Sequence, residues 1–356
     1  PEIIKLACII PKLDEYFDHK LVHSGQNYEY ELNQVFFDQL ELRKPDYYLE
    51  SAGQTPAETI GNVITKFDKV LELEKPDAVL IYGDTNSCLG AIAAKRKKIP
   101  IFHLESGNRC FDLRVPEEIN RKIVDHLSDV NFVHSEHARR YLLDEGVRPE
   151  LIFKSGSPMP EILNKFEKSI EDSVIMDELG VTKGDYFLIS IHREENVDYE
   201  DNFKSLIDTL EIISKKYKKR VIVSTHPRTR KKLELLKFNA SGVEFMKPMG
   251  FLEYVKLQRN AYCVLSDSGT LTEESNLLSF PAIMIRQTHE RPEGMDVGAV
   301  ILSGVNSVEI LEGITMAVRM ERPRLIEDYS NQNVSSQVVK IIQGYTSYIN
   351  RVNWKK

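Results

Sequence analysis

Three short runs in the first half of the chain carry the residue types of a proton-handling site. They are Gly83-Asp84-Thr85, His103-Leu104-Glu105-Ser106-Gly107-Asn108-Arg109, and Val115-Pro116-Glu117-Glu118-Ile119-Asn120-Arg121. The first two follow short apolar runs, Ala78-Val79-Leu80-Ile81-Tyr82 and Ile101-Phe102, that read as buried parallel strands. Carboxylates at the carboxyl ends of such strands stand where open α/β sheets bind ligands. Acids gathered there repel one another, which raises at least one pKa and suits general acid/base work.

Each residue also has a plainer reading. Asp84 is a good N-cap for the helix predicted after it. Glu105 is harder to dismiss, because Glu caps poorly and the small Ser106-Gly107 pair leaves room for a ligand. Glu117 and Glu118 occupy the first turn after Pro116, where the helix dipole favours carboxylates regardless of function. His103 lies two residues before Glu105, so the two are expected on one sheet face. A supporting hydrogen bond and catalysis are equally open to it.

The second half repeats the theme. His192-Arg193-Glu194-Glu195-Asn196 follows the strand-like run Tyr186–Ile191. His192 reads as a general base or a phosphate ligand, with Arg193 and Asn196 in the same short loop. His226 lies just beyond another apolar run and is a further candidate. His19, His126, His134 and His137 read as surface or helix positions without a role. Ser266-Asp267-Ser268-Gly269-Thr270 opens a helix that contains Glu273 and Glu274. Backbone N–H groups at a helix start, with Ser and Thr hydroxyls, cradle phosphate. The alternative is a simple helix capped by Ser268 or Asp267. Glu274 has the reach to accept from ribose hydroxyls, and Arg291 could give a diphosphate a fixed positive charge. No G-x-G-x-x-G, no G-x-x-x-x-G-K-[ST] and no metal-ligand spacing occurs, so neither a cofactor nor a metal is expected.

The elements that must position these groups alternate β then α. A chain of 356 residues exceeds one ordinary core and predicts two domains. Strands are expected at 21–23, 78–82, 101–104, 130–133 and 152–153, then at 186–191, 221–224, 243–245, 263–265 and 282–285. Helices are expected at 55–74, 87–97, 116–127 and 135–145, then at 201–217, 251–260 and 270–278. This predicts parallel sheets with right-handed crossovers. The first domain is expected over 1–160 and the second over 161–333, with an amphipathic segment from 334 packing back on the first. Pro1 to Lys5 reads as a helix turn with no strand before it, so a first strand is expected to be missing. A net charge of −7 argues against a nucleic-acid surface. No apolar run reaches about 18 residues, so no membrane span is expected. The four cysteines are far apart and read as reduced thiols of a cytoplasmic protein without a signal peptide.

Taken together, these motifs resemble the non-hydrolysing UDP-N-acetylglucosamine 2-epimerase family, essentially end to end. The resemblance rests on Pro1 to Lys5, Gly83 to Thr85, His103 to Gly107, Pro116 to Arg121, His192 to Asn196, Ser266 to Glu274 and Glu290 to Glu293. Asn108 to Asp112, Ile119 to His126 and the tail from Asn333 to Trp354 are similar to a particular branch. Its members make UDP-N-acetyl-L-fucosamine from UDP-2-acetamido-2,6-dideoxy-L-talose for capsule or O-antigen synthesis. The resemblance implies two Rossmann-like domains with parallel sheets facing across a cleft (GT-B-like), with UDP held mainly by the second. It implies essential roles for Asp84, Glu105, the Glu117-Glu118 pair and His192. Nucleotide or substrate contacts would come from Lys5, Arg109, Arg193, His226, Tyr254, Ser268, Gly269, Glu274 and Arg291. The family arginine expected just before Pro1 is absent. Members acting on the GlcNAc sugar usually carry Arg where Glu194 stands, so an activating second-substrate site is not carried over. A homodimer is implied.

The chemistry such a site must solve is the C2 proton of an amino sugar, which has no neighbouring carbonyl to acidify it. Expelling UDP from C1 while that proton leaves gives a 2-acetamidoglycal. Re-addition of UDP, with protonation from the other face, inverts C2 without nicotinamide or metal. The competing readings are a UDP-GlcNAc/UDP-ManNAc 2-epimerase (hydrolysing or not), a retaining glycosyltransferase, and a non-catalytic nucleotide-sugar binding protein.

Overall fold

The computed structural model describes residues 2–25, 34–193, 196, 199–225, 229–230, 232–233 and 242–356. The chain divides into two compact units, Pro1–Asn164 with Glu327–Lys356, and Lys165–Ile326.

The first unit holds strands β1 (Val22–His23), β2 (Tyr47–Tyr48), β3 (Val79–Tyr82), β4 (Ile101–Ser106), β5 (Val130–Val133) and β6 (Ile152–Lys154). Strands β3-β4-β5-β6 form one parallel sheet, and β1 and β2 pair separately, also in parallel. A cavity of about 860 Å³ lies beside β1 and β3 and is lined by both. Strand β4 is buried on both faces except at Glu105, which explains its continuous apolar reading. Helix Pro56–Glu74 starts with Thr55 accepting a hydrogen bond from the Glu58 amide and with Pro56 at its first position. Its apolar residues recur at helical spacing, and Val70 and Leu71 are buried. Helix Val334–Ile349 buries Val334, Val338, Val339, Ile342 and Ile349 among Phe102, Leu104, Phe132, Ile9 and Leu13. Each such side chain stabilises the core by roughly 1.5–3 kcal/mol.

The second unit holds β7 (Tyr186–Ile191), β8 (Arg220–Thr225), β9 (Val243–Met246), β10 (Cys263–Ser266), β11 (Ala282–Met284) and β12 (Ile301–Leu302). They form one parallel sheet in the order β12-β11-β10-β7-β8-β9. The chain therefore winds one way from β7 and the other way from β10. The join between those two strands is the topological switch point, where ligands settle in doubly wound sheets. Helix Glu200–Tyr217 packs Phe203, Leu206, Leu210 and Ile213 against Phe187, Ile189 and Ile191. Helix Ser307–Ala317, unread in the sequence, is capped by Asn306, whose side chain accepts from the Val308 and Glu309 amides. Three short helices, Met159–Lys165, Glu167–Glu171 and Ile175–Leu179, precede β7 in the chain. No helix among the described residues is long and apolar enough to cross a membrane.

Candidate active site

In the first unit the acids sit at the carboxyl ends of the neighbouring strands β3 and β4. Gly83 follows β3 with φ +72°, and a Cβ there would come within 2.7 Å of the Glu2 carboxylate. Asp84 is not a helix cap. The next helix begins at Asn86 after Thr85, with no side-chain cap bond. The Asp84 carboxylate instead accepts from Arg121 Nε at 2.6 Å, and Asn120 Nδ2 donates to the Asp84 carbonyl at 2.9 Å. Glu2 accepts from Thr85 Oγ1 at 3.0 Å. Burial and the Asp84 charge push its carboxyl up to about 7, against those hydrogen bonds. The sequence reading of this segment, a helix turn and part of the family resemblance, singled out Lys5 and not Glu2.

Glu105 lies at a bulge. Its φ is +66°, and the β4–β5 register shifts between Leu104 and Ser106. The bulge breaks the alternation that was expected to join His103 and Glu105, and the two turn to different partners. Glu105 takes Lys5 Nζ at 2.8 and 3.0 Å, with the lysine side chain only 9% exposed. The structure thus brings Lys5 to a carboxylate of this site. His103 is fully buried. Its Nδ1 faces Asp125 Oδ1 at 2.8 Å and its Nε2 faces the Gly83 carbonyl at 2.9 Å. Both ring nitrogens meet acceptors, which is the environment of an imidazolium. Burial works to lower its pKa, but Asp125 outweighs it and the net shift is upward.

Arg109, expected as a substrate contact, turns its side chain inward. Its side chain is closed to solvent and donates to Asp125 Oδ2 at 2.7 Å, the Asn108 carbonyl at 2.7 Å and both oxygens of Glu145 at 2.8 and 2.6 Å. With its donors turned inward, it braces the loop after β4. Asp125 also accepts from the Gly107 amide at 3.1 Å. Glu118 is likewise fully buried. It accepts from the Cys110 and Phe111 amides at 3.0 and 3.2 Å and from Arg121 Nη1 at 2.9 Å. It therefore orders the 108–112 segment and the arginine that holds Asp84. Glu117 is half-buried in the first turn of helix Pro116–Leu127. His134, read as a surface or helix position, is 1% exposed and lies against Tyr82.

In the second unit the candidates collect at the switch point. The His192 loop leaves β7, and the Ser268-Gly269 turn leaves its neighbour β10. Asp267, read from sequence as a cap, turns its carboxylate to the His192 amide and the Asn196 side chain. The helix from Leu271 has Thr270 before it and no side-chain cap bond. Ser268 Oγ instead lies 3.0 Å from Thr270 Oγ1. At Gly269 a Cβ would stand 3.2 Å from Glu290 Oε2, so this turn runs close beside the 290–293 segment. Arg193 Nη2 lies 3.8 Å from Glu290, which also pairs with buried Arg286 at 2.7 Å. Glu274 accepts from Gln258 Nε2 at 2.6 Å. Arg291 is 3% exposed and is held by Glu273 at 2.8 Å. Tyr254, in helix Phe251–Asn260, has its hydroxyl pKa pushed up by burial and by the charge of Glu274. His226 and Glu194 lie outside the described residues.

A family described as UDP-N-acetylglucosamine 2-epimerase matches residues 12–343. The chain belongs to that family. It is an isomerase, a UDP-sugar 2-epimerase. The family's close structural neighbours also bear out the GT-B-like fold class. A solved UDP-N-acetylglucosamine 2-epimerase from Rickettsia bellii is 53% identical over 100% of this chain and 97% of its own, with a TM-score of 0.94. The Methanocaldococcus jannaschii UDP-GlcNAc 2-epimerase, solved in complex with UDP-GlcNAc and UDP, is 35% identical over 97% of each chain, with a TM-score of 0.91. A UDP-2,3-diacetamido-2,3-dideoxy-D-glucuronate 2-epimerase from Pseudomonas aeruginosa is 31% identical over 96% of each chain. Family members thus bear the names of epimerases for different UDP-sugars.

Proposed function

We propose that this chain inverts C2 of a UDP-2-acetamido sugar by expelling UDP and adding it back. The substrate is UDP-2-acetamido-2,6-dideoxy-L-talose and the product UDP-N-acetyl-L-fucosamine, for capsule or O-antigen synthesis. Asp84 and Glu105 handle the C2 proton. As it leaves, the C2–H pair forms the C1–C2 double bond and the C1–O bond breaks with its electrons on UDP. The reverse step delivers a proton to the opposite face and restores the C1–O bond. Lys5 and Arg121 keep the two carboxylates oriented, and Glu118 keeps Arg121 in place. Glu117 lines the same helix start. His192, Arg193, Arg291 and the Ser268-Gly269 turn stabilise the departing diphosphate, while Tyr254 and Glu274 hold the nucleoside. The observation that carries this reading is the pair of acids at the adjacent ends of β3 and β4, each ion-paired to a buried cation.

The sugar follows from the resemblance of Asn108–Asp112 and Ile119–His126 to the 6-deoxy branch. A second reading, UDP-GlcNAc, is favoured by the names of the Rickettsia and Methanocaldococcus proteins. Incubating the protein with each nucleotide sugar in D₂O separates the two. The expected result is inversion with deuterium at C2 of the 6-deoxy sugar, with only slow reaction of UDP-GlcNAc. Return of both sugars with hydrogen retained at C2 would overturn the mechanism. Free sugar accumulating with UDP would instead mark a hydrolysing enzyme. A cytoplasmic homodimer completes the proposal. Exposed Phe111, Leu113, Ile119 and Ile123 offer an apolar surface for pairing. Light scattering that gives a monomer mass at micromolar concentration would remove the dimer.

A further inference from the structure

We infer that Asp267 is a positioning residue that fixes the tautomer and orientation of His192. This inference rests on the epimerase reading of the site above. Asp267 is fully buried at the end of β10, beside the end of β7. Its carboxylate faces His192 Nδ1 at 3.0 Å. The same carboxylate accepts from the His192 amide at 3.0 and 3.2 Å, from the Arg193 amide at 3.0 Å and from Asn196 Nδ2 at 3.1 Å. Asn196 Nδ2 in turn reaches the Ile285 carbonyl at 3.0 Å, which ties this end of the loop to β11's exit.

An ionised carboxylate is an acceptor only, so the ring nitrogen facing it must carry hydrogen. Nδ1–H is therefore set, on a side chain that is 36% exposed. Asp267 thus defines which nitrogen of His192 meets the substrate and supports the positive charge that the ring acquires on taking a proton. Burial alone would raise the Asp267 pKa, but the His192 charge and the two amides bring it down to about 2. The acceptor is ionised wherever the enzyme works. The sequence concealed this role, because an Asp before Ser-Gly at a helix start reads as a cap.

The test is a double-mutant cycle on the full chain with Asp267→Asn and His192→Gln, read by kcat and by UDP affinity. Asn can turn its NH₂ toward Nδ1 and reverse the tautomer. We expect Asp267→Asn alone to lower kcat by about 10²-fold or more, as second partners of catalytic imidazoles do. UDP Kd should stay within about threefold. In the His192→Gln background the same change should cost less than about threefold in kcat. Nitrogen-15 NMR of labelled histidine should show Nδ1–H in the wild type and its loss in Asp267→Asn. Equal kcat losses in both backgrounds would overturn the inference and leave Asp267 as a loop brace. So would a wild-type ring that carries hydrogen on Nε2 and none on Nδ1. The NMR arm needs no turnover. An inactive wild type with an Nδ1–H His192 would sink the epimerase reading while leaving Asp267's hold on the ring intact.

Discussion

Glu105 carries a glutamate in a backbone conformation that glutamate resists, and this makes a sharp prediction. A side chain at φ +66° costs about 1–2 kcal/mol relative to its preferred regions. Glycine escapes that cost. The comparison must be made where the Lys5 ion pair does not dominate, because Lys5 left buried and unpaired would cost about 3–5 kcal/mol. Lys5→Met removes the lysine. In that background, Glu105→Gly and Glu105→Ala differ only by one methyl group and by the backbone. At an ordinary strand position glycine is less stable than alanine by about 0.5–1 kcal/mol. Here the order should reverse, with glycine ahead by about 1 kcal/mol, or roughly 2–4 °C in Tm. Thermal melts followed by circular dichroism, with urea midpoints as a second measure, read the difference. Alanine equal to or above glycine would refute the claim that the bulge is strained. Both variants should lose solvent exchange at C2. The strain would then persist because the carboxylate is needed at that spot.

Three other outcomes follow from the same contacts. His103 has a folded pKa above its ordinary 6.5, so its contribution to stability is complete below about pH 6.5 and is lost as pH rises through the shifted value. The wild type should show a falling Tm on this alkaline side, and His103→Gln, which cannot titrate, should flatten that limb. Arg109→Met leaves Asp125 buried with less compensation and should cost about 3–5 kcal/mol, while isothermal titration finds UDP affinity nearly unchanged. A hundredfold loss of UDP binding would restore Arg109 as a ligand contact. Asp84→Asn keeps the shape beside Arg121 but removes the charge. It should lower kcat by about 10²–10⁴-fold, measured as deuterium uptake at C2, and an unchanged kcat would remove Asp84 from the proton path.

The sequence made the β–α alternation legible because buried parallel strands read as unbroken apolar runs. Ala78–Tyr82, Ile101–Leu104, Val130–Val133 and Tyr186–Ile191 all correspond to strands of the structure. Tyr47–Tyr48 did not show itself, since a two-residue strand leaves no period. Helix Ser307–Ala317 did carry a signal, an Asn cap before Ile310 and Ile314, and it went unread. Candidate acids at strand ends were visible from residue type. Their neighbours were not. Asp125 reaches back across 22 positions to His103, and Asp267 reaches back 75 to His192. No local rule links an aspartate to a partner that distant. Glu105's left-handed backbone was equally hidden, because nothing in a Glu-Ser-Gly string announces a bulge at the glutamate.

The return of the chain to its first unit has a consequence for how the protein is made. The ribosome finishes Val79–Val133 long before it reaches Val334, yet Phe102, Leu104 and Phe132 share their cluster with helix Val334–Ile349. The nascent first unit must wait, with part of its apolar sheet face uncovered, while residues 165–326 are synthesised and can close around their own continuous stretch. A nonsense codon just before Asn333 would therefore do more than trim an end. It would release a chain whose β3–β6 sheet never receives that cover, a substrate for chaperones and proteases.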